Sequence, residues 1–308
     1  MDSTYPIRSE LLDPERYADG SIHQVFRRLE PVSWQHCFWA VTGYAEARTV
    51  LSHPEVFSSA HGTGLVSDTE PGLISLNLSD PPLHTGLRTE VEAWLKKVRP
   101  AYRQSANPIR DWPRQTLMAL LSIDEPRALE LQSLARLVAH HQPGANQRLL
   151  AALQPADCPV QLGDLDRLYL KRLLTLASLE STSAALASLA RHRPSASMLE
   201  EMLRLHPPIQ RFGRHLCRDF CLGGQQLKQG QRVVIFFAAA NRDPRVFEAP
   251  DEWRRGRPPH LSFGHGPHRC PGARLARRQL RLLQPAPPPP PGRLHPSNFS
   301  LTPVDWPL

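Results

Sequence analysis

Phe263-Gly264-His265-Gly266-Pro267-His268-Arg269-Cys270-Pro271-Gly272 is the stretch on which the reading of this chain turns. Its glycines let the backbone turn tightly and come close to something flat. A helical run, residues 273–283, follows, so Cys270 stands just before a helix start. Unpaired N–H groups and the positive end of the helix dipole gather there. That setting lowers a thiol pKa and suits the sulfur to ligate a metal. The competing reading is a buried structural cysteine in a Gly/Pro loop.

Working outward, 308 residues can bury one sizeable core or two small ones. A hydrophobic content of 41% is ordinary for a soluble globular protein. The five cysteines are odd in number and irregular in spacing, with no CxxC zinc pattern and no disulfide framework. This predicts a reducing compartment. Cys217 and Cys221, four apart, are read as strand or loop residues. The N-terminus has no signal pattern, and no apolar run approaches a membrane span, so the expectation is a soluble, cytoplasmic protein. The net charge is +8. Its arginines are scattered except for Arg269, Arg274, Arg277, Arg278 and Arg281, which border Cys270. A basic face beside a metal-ligating thiol fits an acidic protein partner better than nucleic acid. Plain solvation of a helix face is the alternative.

Upstream, residues 31–34 and 38–41 read as a strand hairpin, and residues 44–51 as a helix that ends before Pro54. A short helix is expected near residues 14–17. A Gly/Ser/Thr-rich loop leads to Asp80-Pro81-Pro82, where Asp80 is read as the cap of a new helix. His84 and Arg88 are four apart and share a face of that helix, as two cationic donors that can grip a carboxylate. Residues 89–158 carry leucine stripes of helical period and are read as core. Residues 168–189 form the longest helical candidate. Within it, Glu180-Ser181-Thr182-Ser183 places a carboxylate and hydroxyls in an apolar helix, an odd choice for packing alone. Glu201 and Arg204 lie at i and i+3 on one helix face ahead of a double proline. Strands follow at 209–216, 220–222 and 232–237. The tail, residues 285–296, is a proline-rich segment, with a last strand around Phe299 and Leu301. There are no internal repeats.

Taken in this order, the motifs resemble the cytochrome P450 family. The resemblance implies a mainly α fold with small β-sheets in one domain, residues 1–308, holding haem b. It implies that Cys270 is the axial thiolate ligand of the iron, in a loop marked by Phe263, Gly264, His268 and Gly272. His84, Arg88, Arg214 and His268 fall on the positions that hold the haem propionates. Ala177, Glu180 and Ser181 fall on the small residue, acid and alcohol of the central helix, whose acid–alcohol pair relays protons, with Thr182 next in line. Here the sequence departs from the family: Ser178 replaces a usual glycine and Ser181 a usual threonine. Glu201 and Arg204 match a structural pair, and Arg257 is the candidate third member. The implied activity is a haem-thiolate monooxygenase that acts on a small or carrier-bound substrate, with electrons from a separate ferredoxin-type donor, since no G-x-G-x-x-G nucleotide fingerprint is present. Peroxide use or a rearrangement is a second reading, prompted by Ser178 and Ser181. A non-catalytic haem-binding protein is a third. The chain is shorter than the family's usual members, and the missing length falls on the distal helices that roof the substrate pocket. An open site, a bulky substrate, or a lid supplied by a second chain of a homo-oligomer would follow. Residues 63–76, the Ala177 turn, residues 209–212 and Phe299 are the expected pocket wall.

Overall fold

The computed structural model describes residues 10–64, 74–139, 142–284, 294–296 and 301–303. Most of the proline-rich tail, Phe299 and much of the expected pocket loop lie outside them.

Helices α1 (Pro14–Asp19) and α2 (Ile22–Phe26) lead into strands β1 (Val32–Trp34) and β2 (Trp39–Val41), then α3 (Tyr44–Ser52) and β3 (Phe57–Ser58). Four helices follow: α4 (Leu83–Lys97), α5 (Pro108–Leu121), α6 (Glu125–Ala139) and α7 (Ala145–Leu153). Helix α8 (Asp164–Leu176) passes through a π-helical turn, Ala177–Ser181, into α9 (Thr182–His192) without a break. Next come α10 (Leu199–Leu205), β4 (Arg211–Leu216), β5 (Phe220–Leu222), β6 (Gln225–Leu227), β7 (Arg232–Phe236), α11 (Phe237–Ala240) and α12 (Ala273–Leu283). Strands β8 (Leu294–Pro296) and β9 (Leu301–Pro303) close the described chain.

The expected hairpin forms with Val32 opposite Val41 and Trp34 opposite Trp39. It belongs to a five-stranded sheet in the order β1-β2-β7-β4-β3. Strand β7 is buried at every position and sits at the centre, as its Val-Val-Ile-Phe run requires. One apolar cluster joins this sheet to α3. A second gathers leucines from α4 to α8 (Leu87, Leu117, Leu131, Leu149 and Leu170 among them). A third locks α9, α10 and α12 together through Leu186, Leu189, Met202, Leu203 and Leu280. Two packed masses result, one sheet-based and one helical, and α9, α10 and α12 lie against each other.

Three expectations are corrected. Asp80 does not cap α4 with its side chain; its carboxylate turns to Ser58 and Ser59. The strand expected to reach residue 237 ends at Phe236, where the chain turns into α11. Among the described residues one continuous helix, Asp164–His192, is long and apolar enough by composition to cross a membrane, with a mean hydropathy of 1.3 over its best window. Of that window 61% is buried inside the protein, as for a core helix.

Candidate active site

The cysteine loop is built from backbone hydrogen bonds. The Cys270 N–H donates to the Phe263 carbonyl at 2.8 Å, Gly264 N–H to Leu261 at 2.8 Å, and Arg269 N–H to Gly266 at 3.1 Å. Gly264 and Gly266 adopt φ of 71° and 67°, open to glycine at no cost. A Cβ on Gly266 would stand 2.3 Å from the Leu51 carbonyl oxygen, so only glycine lets the loop sit on the end of α3.

Cys270 lines an open cleft of about 370 Å³ whose other walls include Arg88, Arg269, Arg274 and Arg277. The thiol keeps accessible area along this cleft while the protein around it removes bulk water. Desolvation therefore pushes its pKa above the ordinary value. The N–H groups of Gly272 and Ala273, with Arg88 and Arg277, act against that rise. These are groups that stabilise a thiolate once a positive metal sits opposite it.

A polar cluster packs beside the loop. His84 and His268 face each other with ring centroids 4.1 Å apart. His268 Nε2 lies 3.0 Å from Ser59 Oγ and 3.7 Å from Asp80 Oδ1. His84 is 1% exposed, and neither of its ring nitrogens has a partner among the described residues. Burial, then His268, Arg88 and Arg214, bring its pKa down to about 4. Arg214 is buried on β4, and burial lowers its pKa to about 10. Its Nη1 donates to the Gly213 carbonyl at 2.8 Å. Arg88 spends its donors on the loop itself: Nη1 bonds the Pro267 and Arg269 carbonyls at 2.7 Å each, and Nη2 pairs with Glu92. His84 and Arg88 thus reach the cysteine loop from one face of α4.

On the long helix, Glu180 and Ser181 sit in the π-helical turn and Thr182 begins α9. The Ser181 hydroxyl donates to the Ala177 carbonyl at 2.7 Å, and Ser178 to Thr175 at 3.1 Å. Ser183 is fully buried, and its hydroxyl has no partner among the described residues.

Below the loop, Arg204 holds Glu201 in a two-pronged pair at 2.8 and 2.7 Å. Its remaining donors reach the carbonyls of Asn241, Pro250 and Glu252. Arg257 brings its Nε to 3.4 Å from Glu201 and bonds the Ala249 and Glu252 carbonyls. Asn241, wholly buried, ties this group to the loop: it donates to the Arg204 carbonyl and Ser262 Oγ and accepts from Leu261 N–H. The sequence reading missed Asn241, Asp80 and the Ser58–Ser59 pair as site-holding groups. It also missed Glu200, which takes a two-pronged bond from Arg277 and faces His260. A buried asparagine after an apolar Phe-Ala-Ala-Ala run was the one signal available for any of them.

Comparison with known proteins follows the same division. The cytochrome P450 family profile matches residues 196–285, the stretch from just before α10 through α12. Linalool 8-monooxygenase of Pseudomonas putida is 26% identical over an alignment that covers 90% of both chains. Beta-dihydromenaquinone-9 omega-hydroxylase of Mycobacterium bovis is 27% identical over 91% of this chain and 68% of its own. Each alignment is longer than this chain (366 and 351 positions against 308), so the relatives hold residues that it lacks. In fold, a Mycobacterium marinum cytochrome P450 solved with pseudoionone superposes with a TM-score of 0.73 at 24% identity, over 98% of this chain and 99% of that one. The chain is an oxidoreductase of the haem-dependent monooxygenase class, and its cofactor is haem b. It belongs to the cytochrome P450 family.

Proposed function

We propose that Cys270 would ligate the haem iron and that His84, His268 and Arg214, with Arg88 at the edge, would hold the propionates. The observation that carries this reading is His84. Two buried ring nitrogens without partners cost about 1–3 kcal/mol each. They lie beside a buried arginine and a second histidine, with Asp80 as the nearby carboxylate. A pair of carboxylates brought in by a ligand would satisfy that surplus of donors. Haem, when bound, would supply the oxygen-activating chemistry.

The chain's own residues then divide the work. With the iron bound, the Gly272 and Ala273 N–H groups would stabilise the Cys270 sulfur as thiolate. The Asp80–His268–Ser59 triangle fixes the second histidine at the propionate edge. Glu180, Ser181 and Thr182 carry protons inward along the long helix, where the π-helical turn widens the backbone spacing beside them. Glu201, Arg204 and Arg257 hold the loop's underside and take no part in proton or electron movement.

Five cysteines free of disulfides support a reducing, cytoplasmic setting. Electrons come from a separate ferredoxin-type protein that meets the arginines of α12. The relatives' names give linalool and beta-dihydromenaquinone-9 as what those proteins act on. For this chain the substrate is a small or carrier-bound organic molecule, held by a chain with fewer residues than theirs. The test is the spectrum of the reduced, carbon-monoxide-bound protein: the red-shifted Soret band of a thiolate-bound haem is expected, and Cys270→Ala should abolish it. A band that persists in Cys270→Ala sinks the ligand assignment.

A further inference from the structure

Between α10, the loop at residues 254–260 and the start of the cysteine loop lies a second cavity, of about 470 Å³. Six arginines line it, Arg204, Arg254, Arg255, Arg257, Arg269 and Arg277, against two carboxylates, Glu200 and Glu201. Both carboxylates are already taken. Arg204 holds Glu201 at 2.7 Å, and Arg277 holds Glu200 at 2.7 Å. Arg254 is balanced by Glu252 and Glu248 outside the cavity. The Arg255 and Arg269 side chains make no ion pair or hydrogen bond among the described residues. His265, on the same wall, is held below its ordinary pKa by burial and then by Arg48 and Arg269, as expected where positive potential is uncompensated.

The backbone adds a second feature. Arg255, Gly256 and Arg257 form a turn with Gly256 at φ 73°. None of their three N–H groups donates to an acceptor among the described residues. Successive free amides around a left-handed residue make a concavity that suits anion oxygens. Arginine adds forked donors that match phosphate.

We propose that this cavity binds a small, multiply charged phosphate anion. Arg255 and Arg269 supply the charge, and the residue 255–257 turn supplies backbone donors. An acidic protein surface would meet the same arginines only from outside; the concavity and the amide turn select an anion of a few atoms. The assignment stands apart from the electron-donor reading, because its test involves no electron transfer.

The experiment titrates the haem-loaded protein with inorganic pyrophosphate by calorimetry, with potassium chloride at matched ionic strength as the reference. Saturable one-to-one binding is expected. Arg255→Glu should weaken it at least tenfold with an unchanged far-ultraviolet spectrum. Arg274→Glu, an equal charge change on α12 outside the cavity, should keep wild-type affinity. The proposal fails if pyrophosphate gives no saturable signal beyond chloride, or if Arg274→Glu weakens binding as much as Arg255→Glu.

Discussion

The segment from α10 to α12 and the helical layer from α4 to α8 are held together in different ways. In the first, buried charges bond each other and backbone carbonyls: Arg204, 1% exposed, makes five such bonds. In the second, leucine and alanine pack against leucine and alanine. The first contains most of the family match, while the second lies outside it. A network of fixed donors and acceptors tolerates little change, because each lost partner strands a buried charge. An apolar layer can lose length and re-close, because any comparable side chain fills the space.

That contrast can be broken by measurement. Arg204→Ala is expected to have the largest effect, a loss of about 3–5 kcal/mol, since it leaves Glu201 buried and unpaired. Urea unfolding of the haem-loaded protein checks it. Leu170→Ala, at a fully buried position of the helical layer, should cost less, about 3 kcal/mol by lost contact and cavity. A reversed order in the same assay would overturn the comparison.

A subtler effect lies where α9 meets the end of α10. His192 and His206 stack with ring centroids 3.8 Å apart. Burial, then His192 and Arg242, bring His206 down to about 2, and burial brings His23 to about 3. Both histidines stay neutral when folded but take up protons when unfolded, below about pH 6.5. Their depressed folded pKa values mean that stability is full above the unfolded value and falls as pH drops below it. The acid loss between about pH 6.5 and 4.5 should therefore be shallower in His206→Gln. Denaturant midpoints at several pH values check this; parallel curves for the two proteins would refute it. Smallest of all, Arg254→Ala removes exposed pairs with Glu252 and Glu248 and should cost about 0–1 kcal/mol.

Much of the polar half was legible in advance. Local rules place Cys270 before a helix, put His84 and Arg88 on one face, and set Glu201 one turn from Arg204. Each depends on neighbours within four residues and on helical spacing. The hairpin and the long helix were readable for the same reason. Asp80 was misread because its local option, a helix cap, lost to Ser58 and Ser59 across a chain turn. The π-helical turn at Ala177–Ser181 was not foreseen either, since the helical pattern on both sides of it is intact.

What the sequence by itself determined is the set of reactive groups and their local frames: a thiol at a helix start, donors at helical spacing, an acid and alcohols in an apolar helix. Tertiary structure alone decided which of them meet. It brought His84 against His268, closed Arg257 onto Glu201, and left Arg255 and Arg269 facing a cavity whose carboxylates were already bound. Side-chain chemistry and helical spacing act over a few residues, whereas a buried charge takes whichever partner the packed chain brings within about 3 Å.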